Sequence, residues 1–159
     1  MNEKSKSGKI SFSNAAFMPK EEQLETAIRN RHITIGVPAD SRDDEKRVAL
    51  TPEAVSLLVD KDNEVIVQKG AGLGANYSDK DYSENGAILT DSISKVYSAD
   101  VVIKVAPFSP KESDYLKGNQ VILSYLNVLK LNEEILGKLI RKKVTAIAFE
   151  KIRDNSGVM

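Results

Sequence analysis

The chain has 159 residues, the length of one domain with or without a short tail. Its 23 basic and 23 acidic residues balance, which argues against a nucleic-acid groove or an anionic membrane as its partner. The absence of cysteine excludes disulfides and thiolate metal sites, and the single histidine, His32, argues against a histidine-based one. We therefore predict no metal site, and we interpret His32 as a surface residue.

The sequence also bears on location. No apolar run approaches the roughly 18 residues that a membrane-spanning helix needs. The first residues, Met1 to Ser7, lack the apolar core of a signal peptide. The sequence therefore predicts a cytoplasmic protein without a membrane span in this chain.

Residues 1–31 differ in composition from the rest, and we predict that they form an arm and a short helix ahead of a domain over residues 32–159. The first 18 residues are polar and rich in Ser, Lys and Asn, as in an extended arm. A helix is predicted from Pro19, because a proline followed by two acids suits a first turn. Its apolar residues Leu24, Ala27 and Ile28 pack against the domain or cover a subunit interface.

From residue 33 onward, short β-rich runs alternate with helical ones. Strands are predicted over residues 33–37, 64–68, 87–89, 101–105, 121–124 and 144–149, with helices near 52–60, 79–84, 92–97, 110–116 and 133–141. Several strands are near-continuous apolar runs, as expected for parallel strands that are covered on both faces. The alternation predicts an α/β fold, a doubly wound, mostly parallel open sheet with helices on both faces.

Side-chain signals mark the helix ends. Thr51 before a proline is a good N-cap, and Ser109 with Glu112 three residues later forms a capping box. Asn132 is predicted to cap the last long helix. The buried stripe predicted for that helix consists of Ile135, Leu136, Leu139 and Ile140.

Arg47 lies between the first predicted strand and the first long helix, after a run of acids and before an apolar Val-Ala-Leu. A guanidinium at the carboxyl end of a strand offers a planar fork of donors to a carboxylate or phosphate. Local composition on its own is more typical of a surface arginine that pairs with Asp43, Asp44 or Glu45, because charge runs are usually solvated. Local sequence leaves both interpretations open.

Five segments, in order, resemble the N-terminal signature of the alanine dehydrogenase and proton-translocating transhydrogenase alpha-subunit family. They are Gly36-Val37-Pro38 with Arg47-Val48-Ala49-Leu50-Thr51-Pro52, then Lys69-Gly70-Ala71-Gly72-Leu73-Gly74-Ala75, Gly86-Ala87, Ala99-Asp100-Val101-Val102-Ile103-Lys104-Val105, and Val144-Thr145-Ala146-Ile147-Ala148-Phe149-Glu150. Together they span residues 33 to 155. The resemblance implies the N-terminal, substrate-side domain of an NAD(P)-dependent oxidoreductase.

The glycine-rich loop that begins at Gly70 fits the dinucleotide pattern G-x-G-x-x-G/A. That pattern works only where a helix N-terminus follows, and here the polar, turn-prone residues 76–81 follow. We therefore predict no cofactor-binding residue in this chain and expect the glycines to allow positive φ and close backbone approach at a domain or subunit contact. The resemblance agrees, because it implies that NAD or NADP binds a second, downstream domain that this chain lacks. The expected domain is Rossmann-like or flavodoxin-like, has three layers and has no dinucleotide site.

The resemblance implies an arginine and a lysine that bind the substrate's carboxylate and carbonyl, and a histidine that acts as acid and base. The arginine carries over onto Arg47. Where the family reads Lys-Val-Lys-Glu-Pro, this chain reads Lys104-Val105-Ala106-Pro107-Phe108, so Ala106 replaces the second lysine. Where the family reads Tyr/Phe-Leu-His, Asn127 replaces the histidine. Asparagine can orient a carbonyl but cannot exchange a proton.

Lys104 is retained from that motif. If the strand has no bulge, positions 104 and 106 share a face, and the Lys104 ammonium partly serves the role of the replaced second lysine. Otherwise Lys104 is an end-of-strand lysine that faces a domain interface. We take Arg47, Lys104 and Asn127 as the candidate catalytic residues.

These residues imply a substrate-side cleft for hydride transfer at a nicotinamide that the second domain holds. The expected partners are a small-molecule carboxylate or a second nicotinamide nucleotide, and further copies of the chain in a homo-oligomer. The replaced lysine and histidine favour a transhydrogenase-like or divergent dehydrogenase role over ordinary alanine oxidation. The alternative is a non-catalytic carboxylate-binding or subunit-assembly module. A flavodoxin-like flavin binder is disfavoured, because no phosphate loop follows the first strand.

Overall fold

The computed structural model describes residues 32–42, 44–127 and 131–153, so the predicted arm and short helix of residues 1–31 lie outside the described residues. Six strands and five α-helices alternate along the described chain. The strands are β1 Thr34–Val37, β2 Glu64–Gln68, β3 Ile88–Thr90, β4 Val101–Ile103, β5 Val121–Ser124 and β6 Thr145–Ala148. The helices are α1 Pro52–Val59, α2 Asp79–Glu84, α3 Ile93–Tyr97, α4 Pro110–Tyr115 and α5 Glu133–Arg141. Within these ranges, no helix has the length and apolarity needed to cross a bilayer.

The strands form one sheet in the order β3-β2-β1-β4-β5-β6, and every neighbouring pair is parallel. The chain starts at the centre with β1, moves outward to β3 and then crosses back, so that β4 lies against the other side of β1. The strand order therefore reverses between β1 and β4, and the loops that follow these two strands diverge there. A crevice at this point is where open α/β sheets bind their ligands. The predicted doubly wound α/β fold is confirmed.

Helices cover both faces of the sheet. On one face α1 and α2 pack over the β1–β2 half, in a cluster of Ile35, Val37, Val55, Val65, Val67 and Tyr82. On the other face α3, α4 and α5 pack in a cluster that includes Ile66, Val96, Val102, Ile122, Ile135 and Leu139. Gly36 in β1 lets α3 approach closely, because a Cβ at this position would collide with the Val96 carbonyl. The result is a three-layer domain.

The edge of the sheet at β6 departs from the expectation of strands covered on both faces. Ile147 in β6 is 39% exposed, and Phe149 directly after it is 37% exposed. The α5 stripe is also narrower than predicted, since Ile135 and Leu139 are buried whereas Leu136 and Ile140 are exposed. Both differences follow from position, because α5 and β6 end their layers and, among the described residues, have neighbours on one side only.

A buried ion pair joins the end of β4 to α4. Lys104 Nζ donates a hydrogen bond to Glu112 Oε1 at 2.6 Å, and the two side chains are 2% and 5% exposed. Asp40 Oδ1 lies 3.8 Å from the same ammonium. The second oxygen of Glu112 accepts from the Ser109 amide at 2.7 Å, which completes the predicted capping box. One carboxylate thus fixes both ends of the loop between β4 and α4.

The environment of Glu112 sets its ionisation. Burial raises the pKa of Glu112, but hydrogen bonds from Lys104 and Ser109 more than offset this and leave the pKa below its usual value. The folded state therefore favours the ionised carboxylate more strongly than the unfolded chain does.

We expect Lys104→Met to destabilise the domain by about 3–5 kcal/mol, because it leaves two buried carboxylates without their cation. Lys117→Met is the matched control. Lys117 pairs with Asp100 at 3.1 Å in an exposed contact, so its loss should cost about 0–1 kcal/mol. Urea unfolding of the three proteins measures the difference, and equal midpoints would contradict the structural role of the buried pair.

The lowered pKa of Glu112 also predicts acid sensitivity. The stabilisation is present above the unfolded-state pKa of about 4.3 and is lost as the pH falls through the lower folded-state value, because the unfolded chain then binds the proton first. Glu112→Gln should therefore flatten the decline in unfolding free energy below about pH 4.3. The measurement is urea unfolding as a function of pH, and parallel curves for both proteins would refute the assignment.

Candidate functional site

A cleft of about 480 Å³ opens at the carboxyl edge of the sheet, next to the point where the strand order reverses. The loops after β1, β4, β5 and β6 surround it. Its lining residues are Arg42, Glu45, Arg47, Val105, Ala106, Pro107, Tyr125, Asn127, Phe149 and Glu150. The position of the cleft at the carboxyl edge and its mixture of polar and apolar lining residues are typical of a small-molecule site.

Arg47 lines this cleft, and its side chain is 75% exposed. Glu45 Oε1 accepts from the Arg47 backbone amide at 3.0 Å and from Nε at 2.8 Å, and Oε2 accepts from Nη2 at 2.7 Å. These hydrogen bonds lower the pKa of Glu45 to about 2. Both interpretations of the sequence therefore apply, because Arg47 pairs with a neighbouring acid and also lies at the cleft.

Asn127 lines the same cleft from the end of β5. Its φ of 47° lies in the left-handed region, which asparagine tolerates better than most residues. Glu150 follows β6, and its carboxylate accepts hydrogen bonds from the backbone N–H of Asn127 at 2.9 Å and from that of Leu126 at 3.3 Å. The structure thus brings Arg47 and Asn127, separated by 80 positions in the chain, into one cavity.

Lys104 does not line the cleft. Strand alternation places it on the face of Val102, where it is 2% exposed and bound to Glu112. Strand β4 ends at Ile103, so alternation no longer governs Ala106, which turns back and lines the cleft. The condition for a shared face, an unbroken strand through position 106, is therefore not met, and a catalytic role for Lys104 stays a prediction that its placement does not favour.

The glycine-rich loop after β2 supports the Arg47 loop from within the domain. Gly70 has a φ of 79°, as the expectation of positive φ required. A Cβ on Gly74 would lie 2.9 Å from both the Cα and the carbonyl oxygen of Lys46. The loop continues into a single 3-10 turn, Leu73–Ala75. The close approach of Gly74 is thus to the neighbour of Arg47 in the same domain, and the domain or subunit contact expected for this loop stays a prediction.

Several cleft residues were not predicted from the sequence, among them Arg42, Tyr125, Phe149 and Glu150. Tyr125 directly follows β5 and Phe149 directly follows β6, and their rings lie 6.1 Å apart. The rule that carboxyl ends of parallel strands meet at one edge would have identified these two positions.

Metal binding finds no support in the described ranges, where no group of three or more His, Cys, Asp or Glu side chains is arranged to hold an ion. His32 is exposed, and its Nδ1 lies 2.7 Å from the Asp62 carbonyl oxygen.

Known proteins match most of the chain. The sequence model of the family described as "Alanine dehydrogenase/PNT, N-terminal domain" matches residues 36–159. The chain is 38% identical over 120 residues to an alanine dehydrogenase of Staphylococcus saprophyticus, which covers 75% of this chain and 32% of that protein. It is also 38% identical over 120 residues to an alanine dehydrogenase of Bacillus subtilis, covering 76% and 32%. The chain therefore spans about a third of the length of these relatives.

Two solved structures share the fold. An L-alanine dehydrogenase superposes with a TM-score of 0.75 and 33% identity, over 79% of this chain and 34% of that one. A transhydrogenase from Sinorhizobium meliloti superposes with a TM-score of 0.71 and 27% identity, over 77% and 37%. Sequence and fold agree that the chain belongs to the alanine dehydrogenase/PNT N-terminal domain family.

Proposed function

We propose that this domain forms the substrate-side wall of the catalytic cleft in an oxidoreductase of the alanine dehydrogenase or transhydrogenase type. The observation that carries the proposal is the position of Arg47, whose guanidinium lines the cleft at the reversal of strand order. Crevices at this point are the usual ligand sites of open α/β sheets. The matches to alanine dehydrogenases and to a transhydrogenase support the reaction class.

Different residues of the cleft bind different parts of the ligand. Arg47 binds a carboxylate through charge-assisted hydrogen bonds, which are the strong ones in proteins. Asn127 donates a hydrogen bond from its side-chain amide to the carbonyl oxygen of the ligand. Tyr125, Phe149 and Val105 belong to the apolar part of the lining. A nicotinamide, as NAD or NADP on a second domain, supplies the hydride chemistry across this wall.

Proton transfer is the step for which the cleft is poorly equipped. Among the described residues, its lining includes no lysine and no histidine, and Ala106 and Asn127 occupy the two positions. General acid–base catalysis typically contributes about 10²–10⁴-fold to rate. The cleft therefore suits hydride exchange with a second nicotinamide nucleotide, which moves no proton, better than ordinary alanine oxidation. The homo-oligomeric state and the cytoplasmic location stay predictions.

The position of Arg47 in the cleft also favours a second candidate, a non-catalytic carboxylate-binding or subunit-assembly module. Such a module needs Arg47 but no acid or base. The two candidates differ in turnover, because only the enzyme oxidises NADH or NADPH in the presence of a carboxylate or a second nucleotide. Measurement of that turnover by the longest polypeptide that contains this chain separates them.

Arg47→Ala should weaken binding of a carboxylate such as pyruvate by about 10–100-fold, because a charge-assisted hydrogen bond contributes about 1.5–3 kcal/mol. Arg141→Ala is the matched control, since Arg141 is an exposed arginine at the end of α5 and outside the cleft lining. Titration calorimetry measures both dissociation constants. Equal affinities in the two variants would reject the anion-anchor role.

Lysine and histidine introduced at positions 106 and 127, where this chain departs from the family motifs, should restore alanine oxidation. In the longest polypeptide that contains this chain, we expect Ala106→Lys with Asn127→His to raise alanine-dependent NAD⁺ reduction by about 100-fold or more, because the pair adds a cation and a group that titrates near neutrality. Histidine, like asparagine, tolerates a positive φ, so position 127 can accept it. Ala106→Lys alone adds no such group and serves as the control. A double variant that folds but turns over no faster would contradict the assignment of these positions.

A further inference from the structure

Glu45 has a role that neither the motifs nor the proposed function assigned to it. Its side chain is 6% exposed, whereas that of its partner Arg47 is 75% exposed. In this pair the carboxylate is therefore the fixed member. The exposed arginine owes its orientation to the acid beside it.

The hydrogen bonds leave one edge of the guanidinium available. Glu45 accepts from the Arg47 backbone amide, from Nε and from Nη2, so it occupies the side edge of the guanidinium. Arginine carries five N–H donors in a planar fork. The end edge, formed by Nη1 and the second hydrogen of Nη2, is directed away from Glu45. A carboxylate can bind this edge through two parallel hydrogen bonds.

Two further contacts hold the loop that carries the pair. The absence of a side chain on Gly74 lets the glycine-rich loop pack directly against the Lys46 backbone, between the two members of the pair. Arg42 Nη2 lies 3.7 Å from Glu45 Oε2, and Arg42 also lines the cleft. The backbone between Glu45 and Arg47 is thus packed against the rest of the domain, and the Glu45 carboxylate has a second cation beside it before any ligand binds.

We propose that Glu45 is a positioning residue that fixes the Arg47 guanidinium so that its end edge receives the carboxylate of the ligand. This inference rests on the proposed function of Arg47. An exposed arginine without a fixed partner loses rotamer freedom when it binds a ligand, and preorganisation removes that cost. Glu45 acts through Arg47 and needs no contact with the ligand.

The direction in which Glu45→Gln changes the affinity for an anion distinguishes a positioning role from simple electrostatics. Glu45 carries a negative charge beside the cleft, so charge alone predicts that Glu45→Gln binds an anion more tightly. Positioning predicts the opposite, because the glutamine amide nitrogen cannot accept the hydrogen bond from Nη2. A structural role predicts a third pattern, in which the substitution acts equally whether or not Arg47 is present.

The experiment is a double-mutant cycle on the longest polypeptide that contains this chain, with pyruvate as the probe and its dissociation constant from calorimetry as the readout. We expect Glu45→Gln to weaken pyruvate binding by about 3–10-fold and to add nothing in an Arg47→Ala background. Glu45→Asp, which keeps the charge and the two acceptors, should recover part of the loss. Thermal unfolding of each variant confirms that it is folded, and Glu45→Asp carries the test if Glu45→Gln does not fold.

Three outcomes would overturn the inference. Binding that is tighter or unchanged in Glu45→Gln supports charge alone. An equal loss in the Arg47→Ala background shows that Glu45 only stabilises the loop. If Arg47→Ala itself leaves pyruvate binding unchanged, or if the unsubstituted protein does not bind pyruvate, the proposed carboxylate site fails and this inference fails with it. A failure of the first two kinds leaves the proposed function of Arg47 intact.

Discussion

The pairing of β1 with β4 is the constraint on which the rest of the structure depends. The pairing forces the chain to cross back from β3, and α3 makes that crossing over the face of β1. Gly36 permits the crossing, because any side chain there would meet the Val96 carbonyl. Asp100, just before β4, fastens the two strands at their start by accepting hydrogen bonds from the Thr34 amide and hydroxyl. At the opposite end the loops separate, and the space between them is the cleft.

Two ion pairs at the carboxyl edge of the sheet show that burial decides whether a cation can bind a ligand. Lys104 and Glu112 are both buried and hydrogen-bonded to each other, so the pair fixes the loop between β4 and α4 and holds the ammonium away from the cleft. Glu45 and Arg47 are unequal, with the acid buried and the base exposed. An arginine in the second arrangement keeps donors for an incoming anion. Sequence spacing alone gave both cations the same status as candidates, and only their surroundings distinguish them.

Much of the fold was predictable because its signals are local. Apolar runs indicated all six strands, and side-chain caps at Thr51, Ser109 and Asn132 form as predicted. The role of Lys104 was not predictable in the same way, because it depends on where β4 ends and on an acid in the following helix. Likewise, the packing of Gly74 on Lys46 joins residues that are 28 positions apart in the sequence, and no local pattern encodes it. Helical periodicity overestimated the buried stripe of α5, since periodicity shows which residues share a face but not how many neighbours that face has.

The exposed flank at β6 has a practical consequence for handling the domain. β6 ends the sheet, so in the described part of the chain its outer edge offers amide and carbonyl groups to any other extended segment. The strand reads Thr-Ala-Ile-Ala and contains no charged or proline residue of the kind that discourages edge-to-edge association. A lysine introduced at Thr145 would give this edge the charge that commonly discourages edge-to-edge pairing.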